Sequence, residues 1–334
     1  MKPVVTESVT VLSIPSVQEL PFVLVDCGAR AMSPDLNVAR AFPRTTIIGF
    51  EPDAEECARL NRIGEGQCRF FPVAVGERAE TRQLFVTRSP ECSSFYRPNT
   101  DFLRRFRECE TATDVVETQL VQAVPLGEYL PRIGVNHVDL LKIDVQGAEL
   151  AVLRGSERFL KSHLLAVQTE VEFSEMYLGQ PLFADVDNYL RKYHFALFDL
   201  SRVRYRRTTL PPEVDTRCQL LWGDALYLRD FRYFAERSLK EEAVKLAVLA
   251  SAYGFHDYAL EIVQHLLHMD GAMLTDAQLR ELTSAQQSYI SELSRGGRLA
   301  RLVPLATLPP LRIAISKALH LHQLMEHRKP AWAD

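Results

Sequence analysis

Five carboxylates stand where an α/β protein would carry its chemistry. Asp26, Glu51, Asp144, Glu170 and Glu172 each fall at or near the end of an apolar run of strand length. In an open α/β sheet the ligand lies outside the carboxyl ends of the strands, so these groups would converge on one edge. Glu51 follows the Asp26-Cys27-Gly28-Ala29 turn by about 25 positions, which suits an acceptor for two ribose hydroxyls. Asp26, Gly28, Ala29, Glu51 and Asp144 are therefore the candidate cofactor-binding residues. The G-x-G-x-x-G fingerprint of a dinucleotide site is missing. A ligand with ribose and adenine but no phosphates, S-adenosylmethionine above all, fits better than a nicotinamide cofactor.

The stretch from Val138 to Leu150 (VDLLKIDVQGAEL) reads as a buried strand ending at Asp144, then a glycine turn into a helix. Asp144 is the first choice for a general base that takes a proton from a weakly nucleophilic hydroxyl. Glu170 and Glu172 share one face of a strand because side chains alternate, and they are the second choice. Lys142 is a charge inside a central strand, so it must be paired or sit at a mouth. Together with Ser93 and Ser94 it is a candidate for substrate binding. Plainer alternatives stand beside these roles: a solvated Asp144 at an ordinary turn, or one of the two glutamates paired with Lys142. Magnesium takes oxygen ligands, but no ligand set for it is defined by the spacing, and no metal-binding residue is assigned.

These residues need a framework, and the pattern supplies one. Strands are expected at Phe22–Cys27, Thr45–Phe50, Arg69–Val75, the Lys142 run, Leu164–Phe173, Phe195–Leu200 and Leu220–Leu228, with helices between them. Asp53 with Glu56 three residues on resembles a capping box that opens a helix. Repeated βα units imply a mostly parallel sheet with helices on both faces, and the last strand could enter antiparallel. Residues 80–124 read as an insertion containing two strands. After Asp230 the pattern turns wholly helical. The expected division is an N-terminal extension over 1–20, an α/β domain over 21–230, and a helical domain over 231–334 for docking or dimer formation.

The motifs Asp26-Cys27-Gly28-Ala29, Gly49-Phe50-Glu51-Pro52, Leu141-Lys142-Ile143-Asp144-Val145-Gln146-Gly147-Ala148-Glu149 and Val152-Leu153-Arg154-Gly155 resemble the FkbM family of S-adenosylmethionine-dependent methyltransferases. Cys92-Ser93-Ser94, Gln168 to Phe173 and Gly223-Asp224-Ala225-Leu226 add to the match. The resemblance covers Phe22 to Asp230. It implies a class I methyltransferase (Rossmann-like) seven-stranded fold and O-methylation of a sugar, glycan or glycosylated metabolite. The chain departs from the family at Met32, where a glycine is usual, and at Arg30, where a small or amide residue is common. The alternative function is a non-catalytic binding or scaffold subunit that acts through its helical tail.

Composition narrows the partners. The 334 residues carry a formal net charge of −4, which argues against a general nucleic-acid binder. The six cysteines show no CxxC pair, as expected of reduced thiols in the cytoplasm. No signal peptide is evident in the first 20 residues. The stretch from Arg295 to Lys329 is basic, with apolar positions at Leu311, Ile315, Leu319 and Leu324. It is a candidate contact for a protein or an anionic membrane surface.

Overall fold

The computed structural model describes residues 11–31, 38, 41–64, 66, 68–109, 111–211, 213–237, 239–268 and 275–302. Met32 and the stretch after residue 302, including Leu311 to Leu324, lie outside the described residues. In chain order the strands are β1 (Phe22–Cys27), β2 (Thr45–Phe50), β3 (Cys68–Phe71), β4 (Ala74–Val75), β5 (Glu80–Thr87) and β6 (Val115–Val124). They continue with β7 (Leu140–Ile143), β8 (Ala166–Glu172), β9 (Phe195–Leu200), β10 (Val203–Tyr205) and β11 (Gln219–Arg229). The longer helices are α1 (Ala54–Ile63), α2 (Leu126–Arg132), α3 (Glu149–Gly155), α4 (Phe183–Arg191), α5 (Lys240–Ala252), α6 (His256–His268) and α7 (Asp276–Leu302).

The main sheet runs β3-β2-β1-β7-β8-β11, and both β9 and β10 pair with the far edge of β11. β1, β2, β3, β7 and β8 are parallel, and β11 enters antiparallel to β8. This is the mostly parallel Rossmann-like class I sheet that the resemblance implied, extended by the short β10. Its central strands are apolar on both faces because both are covered: β1 is almost wholly buried along its length. Residues 69–75 do not form one strand. Pro72 lacks the N–H a continuing ladder requires, and the chain splits into β3 and β4. β4 joins the second sheet, ordered β4-β6-β5, which the insertion builds.

One sheet face packs against α2, α3 and α4, where Val25, Leu141, Ile143 and Val167 meet Leu130, Leu153 and Val186. The other face is covered from the far end of the chain. Leu24, Leu140, Ala166 and Leu228 share a single core with Leu246, Leu249, Ile262 and Tyr289 of α5, α6 and α7. The helices after Phe231 are therefore not an appended unit, as the change of periodicity suggested; they complete the α/β core. Leu12, Ile14 and Val17 of the expected N-terminal extension lie in that same core. Every residue from Ala243 to Ala252 is buried. A helix buried all round has no polar face to reveal its partner.

Candidate active site

Three strand ends build the site. Asp26, at the end of β1, is 4% exposed, and Lys142 of the neighbouring β7 donates to both its oxygens at 3.1 and 3.3 Å. Burial raises the Asp26 carboxyl above its usual range, and Lys142 opposes that rise. Burial would lower the Lys142 ammonium, yet the Asp26 charge and hydrogen bond outweigh it and raise it. Lys142 is thus spent on Asp26 and does not line the crevice described below. The plainer reading left open for it, pairing with Glu170 or Glu172, gives way to pairing with Asp26.

Gly28 has φ +83°, and a Cβ there would lie 1.8 Å from the Asp144 carbonyl oxygen. The glycine lets the loop after β1 close against the loop after β7, rather than only against a ligand. Asp144 N donates to the Cys27 carbonyl at 2.9 Å and locks the two loops together.

Glu51 ends β2 and is buried, which raises its carboxyl; the hydrogen bond from Asp53 N (2.8 Å) pulls it back. Asp53 caps α1 by accepting from Glu55 N and Glu56 N at 3.0 and 3.2 Å. The expected reciprocal contact from Glu56 is absent, because Glu56 pairs with Arg59 instead. Arg30 lies over this acidic corner. Its Nε is 3.8 Å from Glu51 and a terminal nitrogen is 2.5 Å from Asp53.

Beyond β7 the centre of the arrangement is Gln146, which adopts a left-handed φ of 57°. Its Nε2 donates to Asp144 at 2.8 Å and to Glu170 at 2.5 Å. The Tyr177 hydroxyl lies 2.7 Å from Gln146 Oε1 and 3.0 Å from the Cys92 carbonyl, and it has one proton to give. Ser94 Oγ donates to the Gln146 carbonyl at 2.6 Å and accepts from Tyr96 N at 2.9 Å. Its hydroxyl therefore anchors the insertion to the β7 loop. Ser93 Oγ accepts from Thr87 N at 3.2 Å.

Behind Gln146, Glu149, Glu170 and Glu172 are 2%, 5% and 3% exposed. One carboxylate oxygen from each lies within 4.8 Å of the others. Burial, with the Asp144 charge adding to it, pushes Glu149 up to about 7 even though Val145 N and Gly147 N donate to it. Burial and then Asp144 raise Glu170 well above its ordinary value; burial and then Glu149 do the same to Glu172. Among the described residues no Lys, Arg or His makes an ion pair with Asp144 or with these three glutamates.

A crevice of about 780 Å³ opens at this edge between the main sheet and the insertion. Of the expected site residues, Gly28, Glu51, Asp144, Ser93 and Ser94 line it; Asp26, Ala29, Lys142, Glu170 and Glu172 do not. Leu84, Val86, Gln119 and Leu120 of β5 and β6, with Phe95, form its roof. Sequence reasoning missed Gln146, Tyr177 and the membership of Glu149. Glu149 stood inside the Gly147-Ala148-Glu149 motif, but on pattern alone it read as a first-turn helix residue.

Solved structures of similar fold include three methyltransferases. The precorrin-6y C5,15-methyltransferase of Geobacter metallireducens is 10% identical, over 64% of this chain and 84% of its own, with a TM-score of 0.33. M. capricolum TrmK, solved with S-adenosyl-homocysteine, is 7% identical over 84% and 96%, with a TM-score of 0.32. The StiE O-MT fragment, residues 942–1257, is 10% identical over 83% and 63%, with a TM-score of 0.27. Likeness at that level bears on neither substrate nor mechanism. No curated protein matches the sequence. The methyltransferase FkbM domain model matches residues 26–197, just over half of the chain and all three strand ends of the site. The chain belongs to the FkbM methyltransferase family.

Proposed function

We propose that the protein methylates a hydroxyl group of a sugar, glycan or glycosylated metabolite, using S-adenosylmethionine. The observation that carries this reading is that Glu51 and Asp144 line one crevice from strands on either side of β1. Two interstrand spacings separate those strands, roughly 10 Å, which suits a ribose at one end and a reacting atom toward the other. The crevice volume falls within the usual range for small-molecule sites.

When bound, the cofactor supplies an electrophilic methyl carbon and leaves as a neutral thioether. Glu51 would accept from the ribose hydroxyls once Arg30 yields its place. Asp144, aimed by Gln146 and facing the crevice, would take the acceptor's proton as its oxygen attacks. Placing that oxygen in line is the larger part of the task, worth roughly 7–11 kcal/mol in favourable cases. The roof suits a carbohydrate: Gln119, Glu117 and Gln122 offer hydrogen bonds, while Phe95 and Leu84 offer apolar surface to ring faces. Glu170 and Glu172, expected as alternative bases, do not line the crevice, and Glu170 would support Asp144 through Gln146.

A second reading, a binding subunit without turnover, is favoured by Arg30, which already occupies the acidic corner. Calorimetric titration with S-adenosylhomocysteine separates the two. Micromolar binding is expected. No heat and no thermal stabilisation at millimolar ligand would overturn the methyltransferase reading.

A further inference from the structure

We propose that Glu149, Glu170 and Glu172 form a site for one divalent cation behind the crevice. The three carboxylates come from two elements, the first turn of α3 and one face of β8, and they meet because β8 lies beside β7. Their converging oxygens lie within 4.8 Å of one another. An ion about 2.1–2.5 Å from each would span that distance.

A second observation points to a ligand. Glu172 is 3% exposed, and its Oε1 has no hydrogen-bond partner among the described residues. Buried polar atoms are almost always satisfied, and a buried carboxylate oxygen is among the costliest to leave bare. Elsewhere in this molecule, buried charge meets protein cations or carbonyls. Here the donors are amides alone: Gln146 to Glu170, Val145 N and Gly147 N to Glu149, and the Gln180 side chain to Glu172, which still leaves Glu172 Oε1 bare. Lys142, on the neighbouring β7, is bonded to Asp26.

An all-oxygen set suits Mg²⁺, Mn²⁺ or Ca²⁺ rather than a thiol- or imidazole-seeking metal. None of the three glutamates lines the crevice, so the ion would not touch the acceptor. It would hold Glu170, which holds Gln146, which orients Asp144, in the way outer ligands tune a site from behind. The site stands independently of S-adenosylmethionine binding.

The test uses the full chain, freed of metal by chelator, titrated with MnCl₂ and followed by the loss of the free-ion electron paramagnetic resonance signal. One tightly held equivalent per chain is expected, with Mg²⁺ or Ca²⁺ competing for it. Glu172→Gln should weaken Mn²⁺ at least about tenfold while the protein still melts cooperatively. Glu128→Gln, an exposed acid outside the cluster, should leave Mn²⁺ binding unchanged. No bound Mn²⁺ at millimolar concentration would overturn the proposal and leave shared protons as the neutralising species. Equal affinity in Glu172→Gln would overturn it too. S-adenosylhomocysteine binding, measured on the same samples, reports on the methyltransferase reading separately.

Discussion

The two ends of the main sheet treat buried charge in opposite ways. At the amino end, Asp139 is fully buried and accepts from Val23 N at 2.8 Å, His137 at 2.8 Å and Lys245 at 3.2 Å. Lys245, on α5, also donates to the Pro21 carbonyl. Arg229 is fully buried too, donates to the carbonyls of Leu160, Leu164 and Tyr193, and lies 4.3 Å from the ring centres of Phe195 and Tyr233. Each of these charges is consumed by the fold. At the carboxyl end Lys142 serves Asp26 and Arg30 lies over Glu51 and Asp53, while Asp144, Glu149, Glu170 and Glu172 meet no cation in an ion pair among the described residues. Paired buried charge fixes this architecture; surplus buried charge of one sign marks where a ligand belongs.

That contrast can be broken most sharply at Asp144. Asp144→Asn keeps the shape but removes the base, so kcat should fall about 10²–10⁴-fold, with little change in S-adenosylhomocysteine affinity by calorimetry. An unchanged rate would remove Asp144 from the chemistry. Next in size is the opposite end. Lys245→Met strands Asp139 and should cost roughly 3–5 kcal/mol of stability, read in urea melts, while activity per folded molecule is kept. Glu51→Gln should weaken S-adenosylhomocysteine about tenfold, because one hydrogen bond to a charged acceptor is worth about 1.5–3 kcal/mol.

The smallest effect is on pH. Asp26, Glu51, Glu149, Glu170 and Glu172 are all raised by burial in the folded chain. Across the window from their ordinary values up to about 7, where Glu149 titrates, the folded state holds more protons than the unfolded one. Their contribution is therefore complete at low pH and declines as pH rises. In chelated protein, Tm should drop between about pH 5 and about pH 7.5. A rise across that interval would mean the acids are not buried as described.

Much of the fold was legible in the residue pattern. β1, β2 and β9 begin and end where the apolar runs do, and in β1 the reason is plain, because a strand buried on both faces needs an unbroken apolar stretch. The split at Pro72 was harder to read, since the flanking residues carry the same signal. The boundary near residue 231 marks a change of periodicity but not of packing. α5 is buried on every side from Ala243 to Ala252, and periodicity cannot say which surface such a helix meets. The site was legible in part. Glu51 and Asp144 line the crevice, whereas Lys142 joins Asp26 across 116 residues of chain, a meeting fixed only by the pairing of β1 with β7.

By itself, the sequence determined which segments are strands, that their carboxyl ends bear acids, and where the loops after β1 and β7 turn on glycine. Those properties are local: side-chain period, apolar content and backbone freedom act over a few residues. The tertiary structure alone decided that Gly28 closes on Asp144, that Glu149 faces Glu170 and Glu172, and that helices from the far end of the chain cover the second sheet face. Such contacts depend on strand order and register, which bring distant residues within a few ångströms and leave no trace in their spacing along the chain.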